Sequence, residues 1–394
     1  MKRRHIFTIC VFLNLQAFAQ TNGIDAVLRL IEHNNIELQA AAGQSAIDAL
    51  DSRIENNLPD PSVSYSHQYG NRKGLGYQGE FIASQTFEFP TIYAKRGKLA
   101  AIKAEETAAR YNSQRRDIML RAKVICLDLI LLNQQKRLLS QRLDNTMKLS
   151  DIYTMRLQKG DANVLETNKV GLELLNIKSE VRKNEADRQS KLSELVALNG
   201  GKPVIFTDTV YPPEADLPPL AELKDEVMES DADILALRNK QEYLEGQIDV
   251  RRSQGLPDFE IGYRLNTSSG NERFNGFLVG INIPIFANRG QVKKARIQRL
   301  QSQLQLDNST ITIENQLEEM YSRAELLKRS IDEYSTVLSE QDDISLLNKA
   351  LEAGQISMIE YFVNITTLYQ SLDNYLQLQN EYRKMLAVMY KFRL

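Results

Sequence analysis

Two very long stretches with almost no glycine or proline constrain this chain more than any other feature. Residues 291 to about 351 contain neither, and residues 93 to about 157 contain only Gly97, near the start. The later stretch is rich in Lys, Arg, Glu, Gln, Leu and Ala, which favours one continuous helix. At ~1.5 Å per residue, about 65 helical residues would reach on the order of 100 Å. Helices of that length cannot bury an apolar stripe alone, so they need neighbouring helices.

Short segments of alternating hydrophobicity precede both long stretches. Their period of two predicts half-buried strands, which we place at 62–69, 78–89, 258–267 and 274–285. Odd-numbered residues form an apolar and aromatic face, and even-numbered residues form a polar face. A proline ends the second and fourth strands, and an Arg-Gly pair opens each long helix. The predicted strand-to-helix turns hold Pro90, Gly97, Pro284, Arg289 and Gly290.

Internal matches that keep their order indicate a duplication. Three features occur once in each half, in the same order. They are a Leu-Pro-Asp tripeptide at 58–60 and 256–258, an Arg-Gly pair at 96–97 and 289–290, and a glycine with a glutamate after it at 160–166 and 354–360. Such order predicts two copies of one structural unit. We predict a first repeat of helix, β-hairpin and long helical hairpin at 20–200, a Pro/Gly-rich linker at 201–219 and a second repeat at 220–394.

The N-terminus has the pattern of a secretory signal. Basic residues at 2–4 precede a mostly apolar run at 6–15 and a small-x-small motif at 17–19, which predicts a signal peptide at 1–19. The alternative is a buried N-terminal strand. After cleavage only Cys126 would remain, so no internal disulfide is predicted, and export without disulfides is compatible with a bacterial envelope protein.

Composition and motifs exclude most catalytic and nucleic-acid-binding classes. The formal net charge is −2, with three His and two Cys, which gives little material for a metal site or a nucleic-acid surface. Residues 74–79 fit G-x-G-x-x-G, but a dinucleotide site requires a following helix, and here a strand follows. No P-loop, H-E-x-x-H motif or Cys pair is present. We predict no enzyme activity, cofactor, metal site or nucleic-acid partner.

The strand pattern leaves two architectures open. In a membrane barrel the apolar face contacts lipid and the polar face contacts water. A soluble sheet packed on one side has the same period. Export favours the barrel, and four strands cannot close one around a channel, so several chains would have to contribute. The competing class is a periplasmic coiled-coil scaffold or adaptor without a membrane barrel, for which the paired strands would have no use.

Three motifs carry a resemblance to a known family over essentially the whole mature chain. They are Ile-Pro-Ile-Phe at 283–286 with Arg-Gly at 289–290, Gly-Gln-Ile-Ser-Met-Ile-Glu at 354–360 leading to Thr-Thr-Leu-Tyr at 366–369, and Arg-Leu-Gln-Lys-Gly at 156–160 with Leu-Glu at 165–166. The sequence resembles the outer-membrane efflux proteins, the TolC-like exit ducts. The resemblance implies a mostly α fold with a small β part. In a homotrimer, each chain would give four strands to one 12-stranded outer-membrane β-barrel and long coiled-coil helices to a periplasmic α-barrel.

The resemblance also implies a function. The chain would be a passive duct in the bacterial outer membrane, extending into the periplasm and coupled to a periplasmic adaptor (membrane fusion protein) and an inner-membrane pump. Its length is most similar to the branch paired with resistance–nodulation–division pumps, including metal exporters. Two departures are visible: the sequence shows no N-terminal cysteine of the acylated kind found in some members, and no Met or His cluster marks a metal path.

Two groups of residues are predicted to take part in the function of the duct. The helical hairpin tips lie farthest from the barrel if the long helices are straight, so they are expected to contact the adaptor, through Gln158, Lys159, Gly160, Ala353, Gly354 and Gln355. In the resembled family a ring of aspartates narrows the duct. Glu360 matches the first aspartate position, Val363 occupies the second, and Glu166 would flank the ring. The alternatives are that the tip glycines only break the helices and that Glu360 is an ordinary exposed glutamate.

Overall fold

A computed structural model describes residues 23–213, 217–286, 288–339 and 343–394. The predicted signal peptide at 1–19 lies outside these residues. The first half contains six elements: α1 (Ile24–Asn34), α2 (Ile36–Ile54), β1 (Ser62–Tyr69), β2 (Tyr77–Phe87), α3 (Pro90–Gln158) and α4 (Val164–Leu198). The second half contains α5 (Leu220–Ser230), α6 (Ala232–Ser253), β3 (Asp258–Ser268), β4 (Arg273–Asn282), α7 (Gln291–Ser339), α8 (Asp343–Glu352), α9 (Met358–Met389) and a final 3₁₀ turn, Lys391–Arg393.

The four strands form one antiparallel sheet in the order β1-β2-β3-β4. Each half contributes a hairpin, and the two hairpins join where β2 pairs with β3. Because β2 and β4 feed the long helices α3 and α7, both hairpin turns lie at the end of the sheet opposite the helices. The sheet therefore extends the helical body at one end rather than covering its side.

Helix α3 is the longest element and organises the helical body. It has 69 residues, about 100 Å at ~1.5 Å per residue. Its first part packs between α2 and α6, and its second part between α4 and α9. Helix α7 packs against α6 and α9. Within the described ranges, no helix is both long enough and apolar enough to cross a membrane.

Three apolar cores hold this body together. One surrounds the middle of α3 and includes Leu127, Leu129 and Ile130, each fully buried. A second joins the two helical hairpin tips through Tyr153, Val170, Met358, Tyr361 and Phe362. The third packs α5 against α7 and the end of α9. The apolar stripes predicted along the long helices are thus only partly covered inside one chain, because many α2 and α7 side chains stay exposed.

Buried charges link α3 to the second half of the chain. The Arg116 guanidinium donates to Asp231 at 3.1 Å and to Asp233 at 2.7 Å, and the ammonium of Lys391 lies 3.7 Å from both carboxylates. Asp231 also begins α6, because its side chain accepts hydrogen bonds from the amides of Asp233 and Ile234. Arg116 and Asp231 are almost fully buried, so this ion cluster joins α3, α6 and the C-terminal turn through direct contacts between side chains.

Several predicted boundaries are wrong for identifiable reasons. The predicted second and fourth strands run too far, since β2 ends at Phe87 and β4 at Asn282. Helix α3 begins at Pro90, a favoured first-turn position for proline, so Gly97 lies inside the helix and not in the turn. The single predicted first helix is two helices. The Asn35 backbone amide donates to the Ile31 carbonyl at the end of α1. The Asn35 side chain begins α2 by accepting from the Leu38 amide at 2.8 Å, and it donates to the Leu198 carbonyl at 2.7 Å.

Candidate functional site

The two faces of the sheet are continuous across all four strands. Every paired position joins two odd-numbered or two even-numbered residues, as Tyr65 with Phe81 and Tyr263 with Phe277. The odd face therefore collects the aromatic and branched side chains into one surface, on which Phe277 is 93% exposed and Val279 77% exposed. An apolar surface of this extent with no partner among the described residues needs a covering phase or protein.

The even face is mainly polar. It carries Ser, Gln and Thr side chains, several glycines, and an ion pair between Arg264 of β3 and Glu80 of β2. Three apolar side chains interrupt it: Ile82, Phe274 and Leu278. The Arg264–Glu80 pair connects strands from the two halves, because β2 and β3 are neighbours. A sheet with one apolar and one polar, ion-paired face is suited to separate lipid from water.

A bidentate ion pair fixes the junction between the sheet and α3. Glu88 follows β2, and its carboxylate accepts two bonds from the Arg96 guanidinium, one of them 2.8 Å long. The Lys95 ammonium donates to the Ser253 hydroxyl at 2.7 Å, which ties α3 to the end of α6. Gly97 is the residue predicted for this turn, but the charged residues before it make the junction.

The corresponding turn in the second half contains the other predicted residues. Pro284 follows the end of β4, and Gly290 has a φ of 83° directly before α7. Its carbonyl accepts the Lys294 amide at 2.9 Å and so begins the helical hydrogen bonding. Arg289 is exposed, and its amide donates to the Phe286 carbonyl at 3.2 Å. The two junctions are therefore built differently, although their sequences match.

Both helical hairpin tips use the same termination. Gly160 and Gly354 have φ values of 80° and 69°, a left-handed conformation that glycine adopts without a Cβ clash. The following amide reaches back to the helix, from Asp161 to the Arg156 carbonyl at 2.8 Å and from Gln355 to the Ala350 carbonyl at 2.9 Å. The six predicted tip residues are all exposed: Gln158, Lys159, Gly160, Ala353, Gly354 and Gln355.

Glu166 and Glu360 begin the helices that follow the tips. Each is the third helical residue and completes a capping box, which begins at Asn163 for α4 and at Ser357 for α9. The Ser357 amide donates to the Glu360 carboxylate at 2.7 Å, and the Glu360 amide donates to the Ser357 hydroxyl at 3.2 Å. The spacing of Asn or Ser to Glu is a local signal of a helix start, and it is absent from the predictions made above for these two glutamates.

This cap sets the electrostatics of Glu360 within one chain. Hydrogen bonds from the Ser357 backbone and side chain lower the pKa of the Glu360 carboxyl. Repulsion between three copies in a trimer would act in the opposite direction. Glu360 and Val363 are both exposed and lie three residues apart, so they share one face of α9, whereas Tyr361 and Phe362 point into the tip core. The two predicted constriction residues thus occupy the same surface.

The two tips are held side by side. Tyr153 of α3 and Val170 of α4 share a core with Met358 and Phe362 of α9. The Lys169 ammonium lies 5.3 Å from the centre of the Phe362 ring, a cation–π distance. Glu166, which is half-buried, is therefore near the start of α9 rather than on a separate arm. In the part of the chain that the structure describes, no cluster of His, Cys, Asp and Glu could hold a metal ion.

Comparisons with known proteins agree with this geometry. Residues 223–391 match the family model described as outer membrane efflux protein. No curated protein sequence matches significantly. Three solved structures share the fold: CusC at a TM-score of 0.78 and 14% identity, covering 94% of this chain and 91% of that chain; VceC from Vibrio cholerae at 0.74 and 13%, covering 94% and 95%; and the open state of the Neisseria gonorrhoeae MtrE outer membrane channel at 0.72 and 16%, covering 94% and 88%.

The fold predicted from the sequence is confirmed. The chain has long helices and a small antiparallel sheet of four strands, as the similar structures do. The family model covers the second half, and the structural likeness extends over both halves. The second half of the chain therefore carries an outer membrane efflux protein domain, and the chain as described has the fold of the similar structures.

Proposed function

We propose that the chain is a passive exit duct of the bacterial outer membrane, with its helices in the periplasm. The observation that carries this proposal is the sheet at the end of the helical body, with a continuous apolar face outward and a polar face behind it. The strands have 8 to 11 residues, and about 9–11 suffice to cross a bilayer. We propose no catalytic activity for the chain.

A trimer would satisfy the surfaces that one chain leaves open. β1 and β4 each have one unpaired edge. On the helical side, exposed apolar residues follow α2 at one margin (Ile47, Leu50, Ile54) and α7 at the other (Ile297, Leu300, Leu304, Ile311). Three copies joined through both margins would close 12 strands into a barrel and bury these stripes. The two structural repeats at 20–200 and 220–394 would then alternate around the ring.

The helical hairpin tips are the proposed contact with a periplasmic adaptor that couples the duct to an inner-membrane pump. Beside the second tip, α7, α8 and α9 enclose an apolar groove of about 690 Å³. Val337 and Leu346 in its wall are 71% and 58% exposed. A groove of this form accepts the apolar face of an amphipathic helix. The chain length favours a pump of the resistance–nodulation–division type.

Site-specific photocrosslinkers test the tip assignment in cells. At Gln158 and Gln355, both exposed at the tips, crosslinking is expected to capture the adaptor in a covalent complex visible on a denaturing gel. The matched control places the crosslinker at Asn71, in the hairpin turn at the far end of the sheet. Capture at Asn71 without capture at either tip would reverse the proposed orientation of the duct.

The constriction is tested by separating the charge of Glu360 from its capping role. Glutamine also serves at the third position of a capping box, so Glu360→Gln is expected to keep the helix start and remove only the charge. Three fewer carboxylates in a trimer should weaken cation selectivity and block by multivalent cations in single-channel recordings. Glu381→Gln, at an exposed α9 position, is the control. If both variants match the parent chain, Glu360 is a helix cap and not a pore charge.

A further inference from the structure

The apolar face of the sheet changes its chemistry near the two hairpin turns. Over most of that face the odd-numbered residues are uncharged, and only His67 and Arg273 carry basic groups. These two residues stand in one cross-strand row, which runs through Gly79 and Thr267. Three interstrand spacings of about 4.8 Å place them roughly 14 Å apart. The basic groups are thus confined to the end of the face that lies farthest from the helices.

Tyrosines surround His67 in this row. The Tyr65 hydroxyl and the His67 Nδ1 atom form a hydrogen bond of 3.1 Å. The Tyr77 ring stacks on the imidazole with centroids 5.0 Å apart, and the Tyr69 ring meets it edge-on at 4.6 Å. Tyr65 and Tyr69 are largely exposed. Aromatic rings with polar tips are typical of the boundary between hydrocarbon and headgroups.

The turns add further cations just beyond this boundary. Arg72 and Lys73 lie in the β1–β2 turn, and Glu272 precedes Arg273 in the β3–β4 turn. All four are exposed, and among the described residues none of the three cations forms an ion pair. At the opposite end of the sheet, by contrast, Arg96 is bound to Glu88. The turn end of the sheet therefore carries three cations without an ion pair against one carboxylate, that of Glu272.

We propose that this turn rim, formed by His67, Arg72, Lys73 and Arg273, binds the phosphate groups of lipid headgroups in the leaflet that surrounds the hairpin turns. The inference rests on the proposed function, because it requires the sheet to be in a bilayer. Guanidinium groups bind phosphate through paired hydrogen bonds, and basic residues at a membrane surface attract anionic lipid. The tyrosines keep the row at headgroup depth, and the cations provide the binding.

The absence of tryptophan from the chain allows a clean test. Tyr69→Trp places one fluorescent reporter at the rim, and Phe87→Trp places one at the other end of the same face. Each full-length variant is reconstituted in phosphatidylcholine vesicles that contain a small fraction of either brominated-chain phosphatidic acid or brominated-chain phosphatidylcholine. The ratio of the two quenching efficiencies measures local enrichment of the phosphate monoester lipid.

The rim reporter is expected to show roughly fivefold enrichment of phosphatidic acid, which is the factor expected for about one cation at a membrane surface. The Phe87→Trp reporter is expected to show a ratio near one. Replacing Arg72, Lys73 and Arg273 together by Gln should return the rim ratio to near one, while Glu272→Gln should increase it.

Quenching by both lipids with a ratio near one at the rim would overturn the inference and leave the duct intact. Equal enrichment at both reporters would also overturn it. No quenching at either reporter would overturn the proposed function itself.

Discussion

Replacing Arg116 by methionine is expected to reduce the free energy of unfolding by about 3–5 kcal/mol, the cost of breaking a buried ion pair from one side. The guanidinium and the Asp231 carboxylate are 3% and 0% exposed, so the carboxylate cannot recover its hydration once the guanidinium is removed. Lys391 lies too far away, at 3.7 Å, to replace the lost hydrogen bonds. Urea titration of the purified protein in detergent measures the loss. The control Arg252→Met breaks an exposed pair with Asp249 and should cost less than about 1 kcal/mol.

The same variant is expected to shift the acid sensitivity of the protein. Burial alone would raise the pKa of Asp233, but hydrogen bonds from Ser113 and Arg116 outweigh it and lower that pKa. A lowered pKa contributes stability above the ordinary carboxyl value, and this contribution is lost as pH falls through the lowered value. Without Arg116 the pKa of Asp233 should rise toward its unfolded-state value, so the variant lacks this contribution at every pH and the stability difference between parent and variant should narrow as pH falls. Parent and variant curves of equal shape would contradict this role for the cluster.

Placing an arginine on the odd face of β4 should prevent membrane assembly. Val279 is 77% exposed in the chain and lies near the middle of the apolar surface. Arg at the midplane of a membrane strand costs about 2–4 kcal/mol, and a trimer would incur that cost three times. Val279→Arg is therefore expected to remove the protein from outer-membrane fractions.

The adjacent residue provides a matched control. Leu278 belongs to the even face and pairs with Gly262, where an arginine would meet water and the nearby Glu260. Leu278→Arg should therefore assemble at close to the parent level. If the two variants assemble equally well, the odd face is not in contact with lipid.

Local patterns were enough to predict the element types and the two faces of the sheet. Alternation over 258–267 identified β3, and the absence of proline over 93–157 identified α3. The parity of side chains is a property of a single strand, so it can be read without knowing the partner. The pairing of β2 with β3 could not be read in this way, because it joins residues such as Gln78 and Ser268 from different halves.

The missed features depend on contacts that the sequence alone does not show. Asn35 is a favoured residue type at a helix start, but its side chain also depends on a partner that is distant in sequence, the Leu198 carbonyl on α4. Gly97 matches Gly290 in the aligned halves, yet only Gly290 has a positive φ, since Pro90 begins α3 earlier. The ion cluster at Arg116 was invisible for the same reason. The capping box at Ser357 and Glu360 was a local signal that could have been read, and it gives Glu360 a structural role within the single chain.

A cysteine scan along β3 tests the central proposal, that this sheet crosses a bilayer with water on one side only. The native Cys126 would not interfere, because burial, together with nearby Asp208, raises the pKa of its thiol to about 12. In intact outer membranes, cysteines at odd positions such as Ile261 and Tyr263 should react with lipid-soluble probes. Cysteines at even positions such as Arg264 should react with water-soluble ones, so labelling should alternate along the strand whether the duct is open or closed. Uniform reaction with the water-soluble probe, in a protein recovered from the periplasmic fraction, would contradict the duct and favour a periplasmic scaffold.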